Sequence, residues 1–310
     1  MGKHSTESKD KVAVAPVKMI TLAPELPGAI ETIQYLSRHG VMVSIGHTRA
    51  DYEQTVAAVK AGANMITHLF NAMNPLHHRD PGPFGTITLA KDRANFEHLS
   101  PRERPYFGII ADGIHLHPAS VSLAYSAHPR GLILVTDAVM FMGCDDGVYD
   151  WNNGQKVEKM GSRVTLHGTE TIAGRYDYPG CHPSRRTMRL ISLIYSAVTM
   201  LECVNNFINW TGASIAEAID AVTISPAAML DISDTKGNLT VGADADLVVL
   251  LEDRDDHGGV KLVVEEVWKF GTKVWGSVEE GVGMLGTTVL RRFPYWCRTN
   301  PHIDETSKTK

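Results

Sequence analysis

Long apolar runs are missing from this chain. A transmembrane helix needs about 20 predominantly apolar residues in succession, and no stretch here is of that kind; the opening MGKHSTESKDK also lacks the apolar core of a secretory signal. The expectation is a soluble cytoplasmic protein with no membrane partner. Cysteine is scarce: the 4 residues Cys144, Cys181, Cys203 and Cys297 show no paired spacing, which argues against a disulfide framework and against a thiolate zinc site. They read as buried thiols. An excess of one charge is lacking too. With 30 Lys+Arg against 35 Asp+Glu the net charge is -5, and no dense basic block occurs, so nothing marks a nucleic-acid partner.

What is present is ordinary globular composition, 43% hydrophobic and 21% charged over 310 residues, enough for one large domain and a smaller one. Within it a series of apolar runs each closes on a polar residue: His47 in VMVSIGHT, His68 in MITHLFNAM, Asp112 and His115 in FGIIADGIH, and Asp137 in LILVTDAV. Each run reads as a buried strand with its polar group at the C-terminal end. In a parallel α/β barrel all strand C-termini open onto one face, and catalytic side chains converge there.

The surrounding pattern alternates strand and helix. MITLAPE reads as a strand and ELPGAIETIQYLSRHG as a helix stopped by Gly40. VMVSIG is the next strand, and Thr48 with Asp51 resembles a capping box opening the helix DYEQTVAAVKAG. MITHLF, YFGIIAD and LILVTD follow as strands, with a helix over PASVSLAYSA, which together predict a parallel sheet. Beyond Asp137, GVYDWNNGQKVEKMGSRVTLHGTETIAG reads as a β-hairpin excursion turning at Asn153 and Gly154. Helices over TMLECVNNFINW and, capped by Ser214 and Glu217, over IAEAIDAV come next. NLTVGADADLVVLLEDRD and VKLVVEEVWKFGTKVW alternate as strands of a small β-module.

Imidazole is the usual nitrogen ligand of zinc, and a catalytic site takes about three protein ligands with one position open for water. His47 and His68, on neighbouring strand ends about 5 Å apart, can reach one ion; singly, each is equally a hydrogen-bonded structural histidine. Asp137 can take a proton from an attacking water and deliver it to a leaving group, or cap a following helix. The loop NAMNPLHHRDPGPFG offers Arg79 and free backbone amides to a phosphate. His77 and His78 read as solvated loop residues. Asp112 and His115 can hydrogen-bond a polar substrate, and His117 reads as a surface or helix-start residue before Pro118. Glu25 is the one early strand-end carboxylate that could approach a metal.

The combination GHT, THLFNAM, ADGIH, VTDA and TIAG, from about Met19 to about Trp275, resembles the amidohydrolase superfamily and within it the N-acetylglucosamine-6-phosphate deacetylases; THLFNAM followed by RDPG is the specific part. VGADADLVVL is similar to the segment with which many amidohydrolases return to their small β-domain. The resemblance implies an α/β fold, an incomplete TIM (β/α)8 barrel with a small C-terminal β-sandwich remnant. Its divisions would be a polar tail over 1–18, a partial barrel over 19–232, a small β-segment over 233–276 and an unassigned tail over 277–310. The resemblance also implies one divalent metal, zinc, held by His47 and His68, with Asp137 as general base and acid. The reaction would hydrolyse the acetamide of N-acetyl-D-glucosamine 6-phosphate to glucosamine 6-phosphate and acetate. Asn71, Ala72, Arg79, Asp112, Gly113, Ile114, His115, Ile172, Ala173 and Gly174 match positions that hold this phosphorylated sugar. Members are commonly homodimers, which implies a dimer.

Two departures accompany the match. The glutamate of a HLEGPF-like motif, which completes the family's metal site, has no counterpart in this sequence, and MITLAPE corresponds to about the fourth barrel strand. The first three strands are therefore expected to be absent, leaving two raw sheet edges and an exposed apolar interior. At Gly174 the family pattern TIAGS is interrupted, and removing Arg175 through Tyr195 restores TIAGSAVTMLECVNNF, so 175–195 reads as an insertion of translated intron. Beside the deacetylase, two readings stay open: a non-catalytic remnant of that enzyme, and an amidohydrolase acting on another amide.

Overall fold

A computed structural model describes residues 17–88, 104–151, 154–168, 195–255 and 257–276. Ile172, Ala173, Gly174, the stretch 175–194, Cys181, Cys297, Asn153 and the tail over 277–310 lie outside the described residues.

Strands β1 (Met19–Leu22), β2 (Met42–Ile45), β3 (Met65–Ile66), β4 (Tyr106–Ile110) and β5 (Leu132–Val135) form one parallel sheet in chain order. Parallel neighbours need a crossover, and helices α1 (Ala29–Arg38), α2 (Tyr52–Ala61) and α4 (Pro118–Ala127) supply three of them, with the short α3 (Gly82–Gly85) lying between β3 and β4. Alternation along each strand sends successive side chains to opposite faces. Val43 and Ile45 bury with Ile33 of α1 and with Ala58 and Val59 of α2. Ile66, Phe107, Ile109, Leu132 and Leu134 continue that layer against Val121 and Ala124 of α4 and Val204 and Phe207 of α5 (Met200–Thr211). Each fully buried aliphatic or phenyl group contributes about 1.5–3 kcal/mol, so this helix-facing layer is the main source of stability. Small and polar groups alternate with it: Ser44 Oγ lies 2.5 Å from Thr67 Oγ1, which lies 3.2 Å from Thr21 Oγ1.

Both expected edges are found among the described residues, at β1 and at β5. The β5 edge is met at one point, where Leu134 N donates to Ala221 O at 3.1 Å, and beyond its end Ala138 bridges Ser196. β1 pairs only with β2 among the described residues, and Met19 is 43% exposed.

Two antiparallel sheets accompany the arc. β6 (Gly147–Asp150), β7 (Lys156–Met160), β8 (Arg163–Leu166) and β9 (Tyr195–Ser196) enclose Phe141, Val157, Val164 and Ala197. β10 (Leu247–Arg254), β11 (Val260–Lys269) and β12 (Thr272–Gly276) form the C-terminal module, which follows α6 (Ile215–Asp220) and α7 (Ile224–Met229). Helix α5 stitches this module to the arc. Asn205 donates to Leu262 O (3.1 Å) and accepts from Leu262 N (2.8 Å); Asn209 does the same with Val260, at 2.8 Å both ways. The two amides act as a surrogate strand along β11.

The predicted helix over PASVSLAYSA coincides with α4, and the Ser214/Glu217 capping box is formed. The box opening α2 is not the expected one. Asp51, rather than Thr48, is the N-cap and exchanges hydrogen bonds with Gln54. Pairing in β3 ends at Ile66, because the chain turns at once and His68 takes φ 27.

Candidate active site

The strand-end residues meet where the backbone is most strained. Among the described residues the non-glycine positions with positive φ are His47 (49), His68 (27), Phe70 (75), Ala72 (50), Asp137 (45), Asp231 (53) and Phe270 (47), so most of them belong to the predicted site. Such conformations cost about 1–3 kcal/mol each and persist only where the surroundings over-determine them. Part of that constraint is steric. A Cβ on Gly46 would lie 2.6 Å from Thr67 Cβ, so the turns carrying His47 and His68 pass at closest approach.

His47 Nε2 lies 3.1 Å from His68 Nε2, with ring centroids 4.9 Å apart in an edge-on arrangement. Two nitrogens each about 2.0–2.1 Å from a tetrahedral zinc would stand about 3.3 Å apart, so the pair fits two ligands of one ion. His68 is 6% exposed, and burial lowers the pKa of its ring; the Asp137 carboxylate opposes this, while His47 and His115 reinforce it. A neutral imidazole is the form that binds a cation. Among the described residues no group of three His, Cys, Asp or Glu side chains stands in metal-binding geometry. Two imidazoles by themselves are fewer than the about three protein ligands of a catalytic zinc site. Asp137 is exposed, and no helix starts after it, which removes the helix-cap alternative.

Asp112 is engaged within its own turn. Its carboxylate accepts from Ile114 N and His115 N, both at 2.8 Å, and from His115 Nδ1 at 2.7 Å, with no side-chain exposure. Burial pushes its carboxyl up, but the bonds from His115 and Ile114 outweigh this and lower it. A carboxylate so occupied orients His115. Because an ionised carboxylate only accepts, Nδ1 carries the proton and His115 Nε2 is left as the free ring nitrogen. Gly113, at φ 71, packs over Trp210, and Asn206 Nδ2 donates to Ala111 O at 2.9 Å, anchoring the turn to α5. Nothing in the local sequence signalled that anchor.

Asn71 N donates to His68 O (2.9 Å), and Ala72 O accepts from Thr48 N (3.0 Å), so the substrate-loop residues hang on both histidine turns. Asp80 accepts from Tyr52 N (3.0 Å) and Gly82 N (3.2 Å), pinning the far end of the loop to α2. Arg79 is exposed; its Nε donates to His78 Nε2 and its amide to His77 Nδ1, both at 3.3 Å. The His77 and His78 rings lie 4.2 Å apart, tilted by 39°, and with Leu76, Pro81, Phe84, Gly85 and Thr88 line an open cavity of ≈ 460 Å³. His47, His68 and Asp137 do not line it. His117 is the N-cap of α4, accepting from Ala119 N at 3.1 Å. Glu25 does not approach the histidine pair as a ligand: its carboxylate accepts from Thr48 Oγ1 and from Arg49 N. Cys203 is buried with its thiol pushed up to about 12, and Cys144 is half-buried.

The sequence profile of the amidohydrolase family matches residues 10–268. The chain belongs to the amidohydrolase family. It is 41% identical over 259 residues to N-acetylglucosamine-6-phosphate deacetylase of Danio rerio, covering 84% of this chain and 55% of that protein. It is 37% identical over 238 residues to the deacetylase of that name from Bacillus subtilis, covering 76% of this chain and 51% of that protein. This amidohydrolase chain thus spans about half the length of the curated relatives it matches. Among solved structures it resembles N-acetylglucosamine-6-phosphate deacetylase of Thermotoga maritima, with TM-score 0.63, 26% identity and coverage of 85% of this chain and 60% of that one. It also resembles the Mycobacterium smegmatis enzyme solved in complex with N-acetyl-D-glucosamine-6-phosphate, with TM-score 0.60, 28% identity and coverage of 83% and 57%. A divalent metal is expected of an amidohydrolase. No helix of the described residues is long and apolar enough to cross a membrane.

Proposed function

We propose that this chain contributes the hydrolytic centre for deacetylation of N-acetyl-D-glucosamine 6-phosphate, releasing acetate and glucosamine 6-phosphate. The observation that carries the reading is the approach of His47 Nε2 to His68 Nε2 at 3.1 Å in the field of the Asp137 carboxylate. Homology supports the substrate class, since a relative was solved with that phosphorylated amino sugar.

His47 and His68 would hold one divalent ion, zinc by the fit of their separation; when bound, such an ion polarises the amide carbonyl and makes water more acidic. Asp137 accepts the proton of the attacking water and returns it to the sugar nitrogen, so that the C–N bond breaks with a neutral amine leaving. His115, oriented by Asp112, presents Nε2 to the substrate. Asn71, Ala72, Gly113 and Ile114 supply sugar contacts, Arg79 faces the phosphate, and Ile172, Ala173 and Gly174 complete the sugar site. We also propose the family's homodimer, a cytoplasmic location, a barrel part over 19–232 and a β-module over 233–276.

The test is acetate release from N-acetyl-D-glucosamine 6-phosphate by the purified chain with zinc, beside Asp137→Asn. The proposal expects release by the native chain and a loss of about 10²-fold or more in the variant. No release by the native chain, or equal rates for the two, overturns it.

A further inference from the structure

The structure assigns Glu25 a role: it is the positioning residue that holds the His47 turn, and through it the substrate loop, in working geometry. This rests on the proposed metal role of His47. Sequence alone suggested Glu25 as a candidate ligand, but both of its oxygens are committed elsewhere. One accepts from the Thr48 hydroxyl, and the other accepts from Arg49 N at 2.7 Å. These are the two residues that follow His47. A carboxylate holding one backbone amide and one hydroxyl at adjacent positions restrains the direction in which the chain leaves His47, whose φ of 49 is uncommon for a residue other than glycine.

The contact is the root of a wider lattice. Thr48 is 1% exposed, and its hydroxyl, while donating to Glu25, also accepts from Ala50 N at 3.0 Å. Its amide donates to Ala72 O at 3.0 Å, and Thr48 bridges Met73. One residue on, Arg49 O accepts from Asn74 Nδ2 at 2.9 Å. Glu25 therefore ties three segments together: the end of the first strand, the turn after one metal histidine, and the loop that follows the other. Charge strengthens both bonds, since hydrogen bonds to an ionised acceptor are roughly twice as strong as neutral ones. Outer partners of this kind typically govern metal affinity by about 10–100-fold.

Glutamine fits the same place: its Oε1 can accept from Arg49 N while its Nε2 donates to the Thr48 hydroxyl oxygen. Alanine can do neither. The test compares the native chain with Glu25→Ala, Glu25→Gln and Thr48→Val by zinc affinity, read by competition with a chromophoric chelator, and by hydrogen exchange at the Thr48, Arg49 and Ala50 amides. The expected result is zinc binding weakened about tenfold or more in Glu25→Ala and Thr48→Val, with exchange protection lost at Arg49 in Glu25→Ala and at Ala50 in Thr48→Val but kept in the sheet strands, and recovery of affinity and of Arg49 protection in Glu25→Gln. Native zinc affinity with a protected Arg49 amide in Glu25→Ala overturns the assignment. So does a uniform loss of protection across the sheet that Glu25→Gln fails to relieve. If the native chain takes up no zinc, the metal reading of His47 fails instead, and the exchange pattern still decides the role of Glu25 by the same criteria.

Discussion

Replacing Gly46 with alanine drives a methyl carbon into Thr67, and the consequences reach both histidines. The added Cβ would sit 2.6 Å from Thr67 Cβ and 2.9 Å from both Thr67 Oγ1 and Thr21 Cγ2, against about 3.5–4.0 Å for a relaxed carbon contact. Rotating Thr67 cannot relieve the closest approach, because its Cβ is fixed to a backbone that donates from Thr67 N to Ile45 O at 2.8 Å. The strands themselves must part, and overpacking of this kind costs about 1–3 kcal/mol. In a urea titration that corresponds to a midpoint lowered by roughly 0.5–1 M. Thr67→Gly removes the opposing carbon, so the double variant should be less destabilised than the sum of the single changes, with a coupling of about 0.5–3 kcal/mol. His47 follows Gly46 and His68 follows Thr67, so the strain also widens the gap between the two Nε2 atoms, and zinc affinity should fall with stability. A Gly46→Ala chain that unfolds at the native midpoint, and whose effect simply adds to that of Thr67→Gly, would refute the close approach on which this reasoning depends.

Asp112→Asn keeps an acceptor for the Ile114 and His115 amides but turns an NH2 toward His115 Nδ1, so nitrogen NMR should show the His115 ring switching to the tautomer protonated at Nε2; an unchanged tautomer speaks against the orienting role. His128 is 9% exposed, and burial, aided by the Arg104 charge, lowers its ring from 6.5 to about 4. The unfolded chain then takes up the proton first, so stability is constant above pH 6.5 for this group and falls by about 3 kcal/mol as pH drops toward 4. His128→Leu should flatten that slope in urea midpoints measured against pH, and an unaltered slope would exclude His128 as its source. Asn205→Ala strips both backbone groups of Leu262, which is 3% exposed, and should cost about 2 kcal/mol or more, whereas Asn209→Ala at the exposed end should cost about 1 kcal/mol or less; the reverse order in chemical denaturation would contradict the surrogate-strand pairing.

The strands and helices were legible where local signals agreed. PASVSLAYSA carries a proline at its first turn and a small apolar face, and its boundaries match α4 residue for residue. The two imidazoles were legible because each closes an apolar run, and strand alternation brings such ends to one rim. Choices between equivalent residues were not. Thr48 and Asp51 are both good N-caps, and in the fold Asp51 takes the cap with Gln54 while the Thr48 hydroxyl is engaged by Glu25. The engagement of Asp112 is hidden in the same way. A carboxylate at a strand end looks available until its partner, His115, is seen to curl back and occupy it. Asn205 and Asn209, spaced one helical turn apart, resemble an ordinary solvated face, and their partners on β11 lie too far along the chain for any local pattern to disclose. The contacts of Leu134 with Ala221 and of Ala138 with Ser196 are of the same kind, since they use backbone groups that carry no sequence signature.

The pairing of His47 with His68 in one cation site is open to direct measurement. Calorimetric titration of zinc into the purified chain, and into His47→Asn, His68→Asn and the double variant, tests it most directly. One ion per native chain is expected, with affinity lowered about tenfold or more in each single variant and no comparable site in the double variant. Equal zinc uptake by the native chain and the double variant would contradict it.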